Sequence, residues 1–157
     1  MAVFLVRHAK AGDRDEWSGP DDLRPLSKKG RAQAEGLVAQ LGPRGVTRIL
    51  SSPSVRCVQT VEPLGEQIDV KVEEHDALAE GAAVEDAVAL VRELARAGEE
   101  AVLCSHGDVI PMLLDHLERA DRLRLVHEFA CAKGSTWILE ADDSGRFKKG
   151  MYLSPPP

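Results

Sequence analysis

The chain has 157 residues, with 20 lysines and arginines against 26 aspartates and glutamates, a net charge of −6 with neutral histidines. That balance argues against a nucleic-acid or anionic-membrane surface, both of which need basic patches. Its composition of 43% hydrophobic and 29% charged residues is globular rather than disordered.

Surface scaling predicts one domain exposing roughly 7,700 Å² when folded, about a third of what the unfolded chain presents. A core therefore forms without staples, and three cysteines, an odd number, exclude a fully paired disulfide framework. The opening MAVFLVRHAK lacks the longer apolar region and small-residue cleavage site of a signal peptide. No apolar run approaches the roughly 20 residues that span a bilayer. The expectation is a single cytoplasmic domain over residues 1–157, without membrane or nucleic-acid partners.

Residues 2–6 form a compact apolar run, too short for a helix and suited to a buried strand. Residues 9–26 are rich in Gly, Pro and Asp and predict a long loop, a length that usually serves a site. Ser27 has the character of a helix N-cap. The helix runs from Lys28 to Leu41, with Ala34, Leu37, Val38 and Leu41 on one face, and stops at Gly42-Pro43. Arg48 to Ser51 is a second strand, and Ser52-Pro53 opens a second helix with proline near its first turn.

Val70 and Val72 mark a third strand bounded by Glu73-Glu74, and Val84 to Arg96 a third helix with an apolar stripe. Ala101 to Cys104 is a fourth strand, followed by a helix from Gly107 through Leu117. Residues 135–141 and 146–153 pair as a hairpin around Asp142 to Gly145, and the terminal prolines 155–157 fray. Strands alternating with helices predict an α/β fold, a three-layer αβα sandwich around a mostly parallel sheet. Ligands of such sheets bind outside the carboxyl ends of the strands.

Polarity concentrates at those ends. The first strand leads into Arg7-His8, the second into Ser51 to Arg56, and the fourth into Ser105-His106-Gly107. A parallel sheet brings these groups to one rim, although His8 and His106 lie almost a hundred residues apart. Four potentially cationic groups at one point in an acidic protein make an anion site, best suited to phosphate. Arginine offers a planar fork matched to phosphate oxygens, and the helix after Gly107 adds backbone N–H groups and its positive end. A neutral imidazole can attack phosphorus and carry the phosphoryl group between two steps. A second, protonated imidazole and the arginines then stabilise the developing charge. This scheme requires no metal and no cofactor.

The segments Leu5-Val6-Arg7-His8-Ala9, Ser51-Ser52-Pro53 with Arg56 and Gln59-Thr60, and Ser105-His106-Gly107 together resemble the histidine phosphatase superfamily, the phosphoglycerate-mutase-like or RHG group. Pro25-Leu26-Ser27 and Gly30-Arg31-Ala32-Gln33-Ala34 extend the likeness over most of the chain. The small size is similar to the SixA branch, which removes phosphate from phosphohistidine on proteins. The segments Arg56 to Thr60 and Lys133 to Trp137 also resemble the phosphatase domain fused behind Nudix domains in actinobacterial nucleotide hydrolases, here without the Nudix half.

The resemblance implies that His8 is the phosphorylated nucleophile, Arg7 and Arg56 the phosphate clamps, and His106 the charge-holding histidine. Ala9 stands where the family usually has glycine. Glu80, in Ala77 to Gly81, is the candidate general acid, framed by no tight motif. The implied substrate is phosphohistidine on a protein or, alternatively, a nucleotide or other small phosphorylated metabolite. A phospho-ligand-binding module without catalysis is the rival of another class, although all four clamp residues stand. A cysteine phosphatase is excluded, because the residues six beyond Cys57, Cys104 and Cys131 are Pro63, Ile110 and Trp137 rather than arginine. His75, His116 and His127 read as structural, and His127-Glu128 with Cys131 matches no zinc spacing. Trp17, Arg24 and Lys10 stand near the site either as ligand contacts or as a plug with solvated charges.

Overall fold

The computed structural model describes residues 1–157, and its seven strands form one sheet in the order β3-β2-β4-β1-β6-β7-β5. Strands β1 (Ala2–Arg7), β2 (Arg48–Ser51), β3 (Val72–Glu74) and β4 (Ala101–Ser105) pair in parallel. β6 (Thr136–Ala141) runs antiparallel to β1 and forms a hairpin with β7 (Phe147–Leu153). β5, only Arg124–Leu125, closes that edge in parallel with β7. Six strands thus share one direction and β6 opposes them.

The central strands are apolar on both faces because helices cover both. Val3 and Leu5 of β1, with Leu103 of β4 and Trp137 of β6, pack into a core with α3 (Val84–Ala97) and α4 (Val109–Asp121). Phe4, Val6, Ile49 and Val102 face the other way, onto α1 (Lys28–Leu41) and α2 (Val55–Ile68). The αβα sandwich expected from strand–helix alternation is the fold observed. Its exposed area is 7754 Å², close to the scaling expectation. No helix is long and apolar enough to cross a membrane.

Ser27 caps α1 as predicted: its Oγ accepts the Gly30 N–H at 3.1 Å and donates to the Lys10 carbonyl at 3.0 Å. Gly30 is required there, because a Cβ would collide with that same Lys10 carbonyl. The helix is thereby fastened to the loop that follows the first strand.

Three expectations need correction. Pro53 precedes the N-cap Ser54 and lies outside α2, so it shapes the entry rather than the first turn. The third strand spans Val72–Glu74, so Val70 lies before it and Glu73-Glu74 belong to it rather than bound it. The terminal prolines do not all fray: Pro156 is buried against Gly36 of α1, where a Cβ would meet the Pro156 ring, and Gln40 donates to the Ser154 carbonyl at 3.3 Å. A segment that cannot join a sheet has docked on a helix instead.

Candidate active site

Strand register assembles the site. Arg7 of β1 stands opposite Ser105 of β4, and Ser51 of β2 opposite Cys104, so the three strand ends lie side by side on neighbouring strands. The ladder continues one residue past β1, with the His8 N–H donating to the Ser105 carbonyl at 3.0 Å. On the other side Arg7 N–H reaches the Ser135 carbonyl, and Gly134 N–H donates to the carbonyls of both Arg7 and His8. The backbone carrying Arg7-His8 is therefore held from both flanks.

His8 is buried, and its Nδ1 lies 2.8 Å from the Ala9 carbonyl oxygen. A carbonyl only accepts, so Nδ1 carries the hydrogen and Nε2 keeps its lone pair. Burial pulls the imidazole down from its ordinary 6.5 to about 3, partly opposed by the Ala9 hydrogen bond, with His106, Arg56 and Arg7 lowering it further. His8 is neutral throughout the physiological range. His106, also buried, has its Nε2 engaged by Ser52 Oγ at 2.8 Å with Cys57 Sγ at 3.5 Å, which leaves Nδ1 available to a ligand.

Arg7 donates from Nη1 to the Cys131 carbonyl at 2.7 Å, and a Cβ on Gly107 would lie 2.8 Å from its Cζ. Arg56 is almost fully buried at the start of α2. Its Nη1 donates to the Asp21 carbonyl at 2.9 Å, and its Nη2 pairs with Glu80 at 2.8 Å and the Asp21 carboxylate at 3.3 Å. In both arginines Nε is buried with no protein partner. Buried donors are normally satisfied, so these two unpaired Nε groups are exceptions within the fold.

Glu80 sits on a turn held at both ends. Ser105 Oγ donates to the Leu78 carbonyl at 2.6 Å, and Gly81 N–H donates to Asp108 Oδ2 at 2.8 Å. These groups surround a cavity of about 210 Å³ that has no hydrophobic lining, walled by Arg7, His8, Arg14, Arg24, Arg56, Glu80, His106, Gly107, Asp108 and Lys133.

Residues 3–86 match the family model described as histidine phosphatase superfamily, branch 1. The chain belongs to the histidine phosphatase superfamily. The matched span of this histidine phosphatase contains Arg7, His8, Arg56 and Glu80, while His106 lies beyond it and joins through the fold alone.

Over 157 residues the chain is 41% identical to an 8-oxo-(d)GTP phosphatase of Mycolicibacterium smegmatis, covering 98% of this chain and 48% of that protein. It thus spans about half the length of that curated relative. A structure of the protein histidine phosphatase SixA complexed with tungstate superimposes with a TM-score of 0.78 at 24% identity, over 99% of this chain and 97% of that one. A mycobacterial glucosyl-3-phosphoglycerate phosphatase complexed with inorganic phosphate gives 0.72 at 19%, over 99% and 97%. Both likenesses describe the fold.

All five residues singled out in the sequence of this histidine phosphatase, His8, Arg7, Arg56, His106 and Glu80, line the one cavity. Gln59 and Thr60 prove to be supports: Gln59 accepts the Leu26 N–H, and Thr60 links the Ala9 N–H to the Arg56 carbonyl. Arg14, Asp108 and Lys133 are cavity walls that the sequence did not single out as site residues, and Asp21 is the unforeseen partner of Arg56. Lys133 carried the one available signal, its place in a segment shared with the Nudix-fused domains. His75 and His127 accept backbone N–H groups of Ala77 and Tyr152, which is the structural role expected of them.

Proposed function

We propose that the chain is a metal-independent phosphatase that works through a phosphohistidine intermediate on nucleotides or similar small phosphorylated metabolites. The observation that carries this reading is a neutral, buried His8 with a committed Nδ1, set beside two buried guanidinium Nε donors that lack partners.

His8 Nε2 attacks phosphorus while Arg7 and Arg56 receive the equatorial oxygens and His106 donates from Nδ1. The bond to the leaving oxygen breaks, and Glu80, which takes a proton from solvent once Arg56 has turned to the phosphate, passes that proton to the leaving oxygen. Charge appearing on the imidazole ring is shared with the Ala9 carbonyl through Nδ1–H. Water then attacks the phosphohistidine, its proton passes to the Glu80 carboxylate, phosphate departs and neutral His8 is restored. The Arg56–Glu80 pair suits this sequence. A phosphate that takes Arg56 draws it away from Glu80, freeing the carboxyl at the moment it is needed.

The 41% identity to an 8-oxo-(d)GTP phosphatase supports a nucleotide substrate, and so reverses the order in which the sequence ranked phosphohistidine proteins and nucleotides. The test is incubation with ³²P-labelled substrate, quenched in alkaline denaturant because P–N bonds are acid-labile. Label on His8 and its loss in His8→Ala are the expected results. Label elsewhere, or full turnover by the variant, overturns the mechanism. Parallel assays on a phosphohistidine peptide and on nucleoside di- and triphosphates decide the substrate. Phosphate binding without any turnover would instead return the binding-module reading.

A further inference from the structure

The catalytic scheme uses only part of the cavity's charge. Five cationic side chains line it against two carboxylates, in a protein whose net charge is −6. Arg7 and Arg56 suffice for the phosphoryl group in transfer. The other three come from two segments, Arg14 and Arg24 from the loop after β1 and Lys133 from the stretch before β6, and meet at this cavity.

We propose that Arg14, Arg24 and Lys133 form a second anion subsite, which holds the phosphoryl group adjacent to the one transferred. The preferred substrate class is therefore a phosphoanhydride, with at least two linked phosphates. This deepens the phosphatase reading and rests on it only for the identity of the first group.

Three observations support the subsite. The first is geometric construction. Asp21 accepts from Arg24 Nε at 3.0 Å and pairs with Arg14 Nε at 3.4 Å, while its backbone carbonyl holds Arg56, so one residue fixes the outer arginines relative to the inner clamp. Arg24 is itself buried, with Nη1 on the Gly12 carbonyl at 2.6 Å. Gln33 ties the opposite wall, accepting the Lys10 N–H at 3.0 Å and donating to the Lys133 carbonyl at 3.5 Å.

The second is local positive charge. Burial and then the neighbouring Arg7, Arg24, Lys10 and Arg14 depress the Lys133 ammonium, and no carboxylate pairs with it. Lys133 is exposed, so water screens part of that repulsion, and a bound anion would lower it further. The third is continuity. The cavity that holds the inner clamp, about 210 Å³, extends to Arg14, Arg24 and Lys133, so both sets of cations face one space.

Competition calorimetry with inorganic phosphate and inorganic pyrophosphate tests the inference without requiring turnover. Wild-type protein should bind pyrophosphate on the order of tenfold more tightly than phosphate, the worth of one charge-assisted contact. The Arg14→Ala/Lys133→Ala double variant should bring that ratio close to one. Arg14→Gln alone, at an exposed side chain, should shift it in the same direction by less. Equal weakening of both anions, or no change in the ratio, overturns the subsite. A nucleoside diphosphate titrated beside pyrophosphate separates the sources: tighter binding by the nucleotide assigns a nucleoside-linked anhydride, and parity assigns the bare anhydride. Should His8 acquire no label while the pyrophosphate ratio behaves as stated, the phosphatase reading fails and the subsite stands.

Discussion

His8 and His106 meet edge to face, with ring centroids 5.4 Å apart and planes inclined by 64°. They project from the ends of adjacent parallel strands, and each has one ring nitrogen committed to the protein: His8 to a carbonyl, His106 to a serine hydroxyl. Two imidazoles of identical chemistry thereby acquire different tasks from their neighbours alone.

The first consequence concerns pH and stability. The folded protein resists protonating His8 until about pH 3, whereas the unfolded chain accepts that proton near 6.5. Stability from this residue is therefore whole above 6.5 and falls as the pH drops toward 3. Between pH 7.5 and 5 the loss is about 2 kcal/mol. Urea unfolding at the two pH values should show His8→Asn flattening the wild-type dependence by about that amount. Parallel slopes in both proteins would remove the argument.

Ser52 should matter to rate rather than binding. Ser52→Ala removes the only hydroxyl on His106 Nε2 and lowers stability by about 1 kcal/mol. We expect kcat to fall on the order of tenfold with KM little altered. His106→Ala and Arg56→Ala should each cost about 2–4 kcal/mol in kcat/KM, as lost transition-state donors do. Steady-state kinetics on an aryl phosphate resolve the three.

Gly107 gives a test of Arg7 that leaves the arginine in place. Alanine there puts a methyl 2.8 Å from the Arg7 Cζ, so the guanidinium must move or the α4 entry must yield. Gly107→Ala should reduce kcat/KM on the order of tenfold or more, because sub-ångström positioning governs such sites. Thermal unfolding should shift by only a few degrees; a large shift with normal activity would locate the strain in the fold instead.

Glu80 is best judged by leaving group. Proton donation matters for a poor leaving oxygen and hardly for a nitrophenolate. Glu80→Gln should slow alkyl phosphate hydrolysis about a hundredfold while aryl phosphate hydrolysis falls far less. Equal losses on both substrates would reduce Glu80 to a partner of Arg56.

Much of this arrangement was legible in the sequence because parallel sheets expose their carboxyl ends. Arg7-His8, Arg56 and His106 each break an apolar pattern just where a strand or its following turn must end, and strand order does the rest. Arg14 and Asp21 were not legible, since their convergence depends on the three-dimensional course of a loop that lacks periodicity. Ser52 sits in a recognisable Ser-Ser-Pro, yet nothing local says that its hydroxyl meets a histidine 54 residues away. β5 and the docked Pro156 are set by tertiary packing, which short segments do not encode in their own composition.

The hydrogen bond from His8 Nδ1 to the Ala9 carbonyl also fixes the regiochemistry of the proposed adduct. With the inner nitrogen blocked, only the tele regioisomer of the phosphoramidate can form. A ³¹P spectrum of trapped enzyme should therefore contain one P–N resonance, and reagents raised against the pros isomer should stay silent.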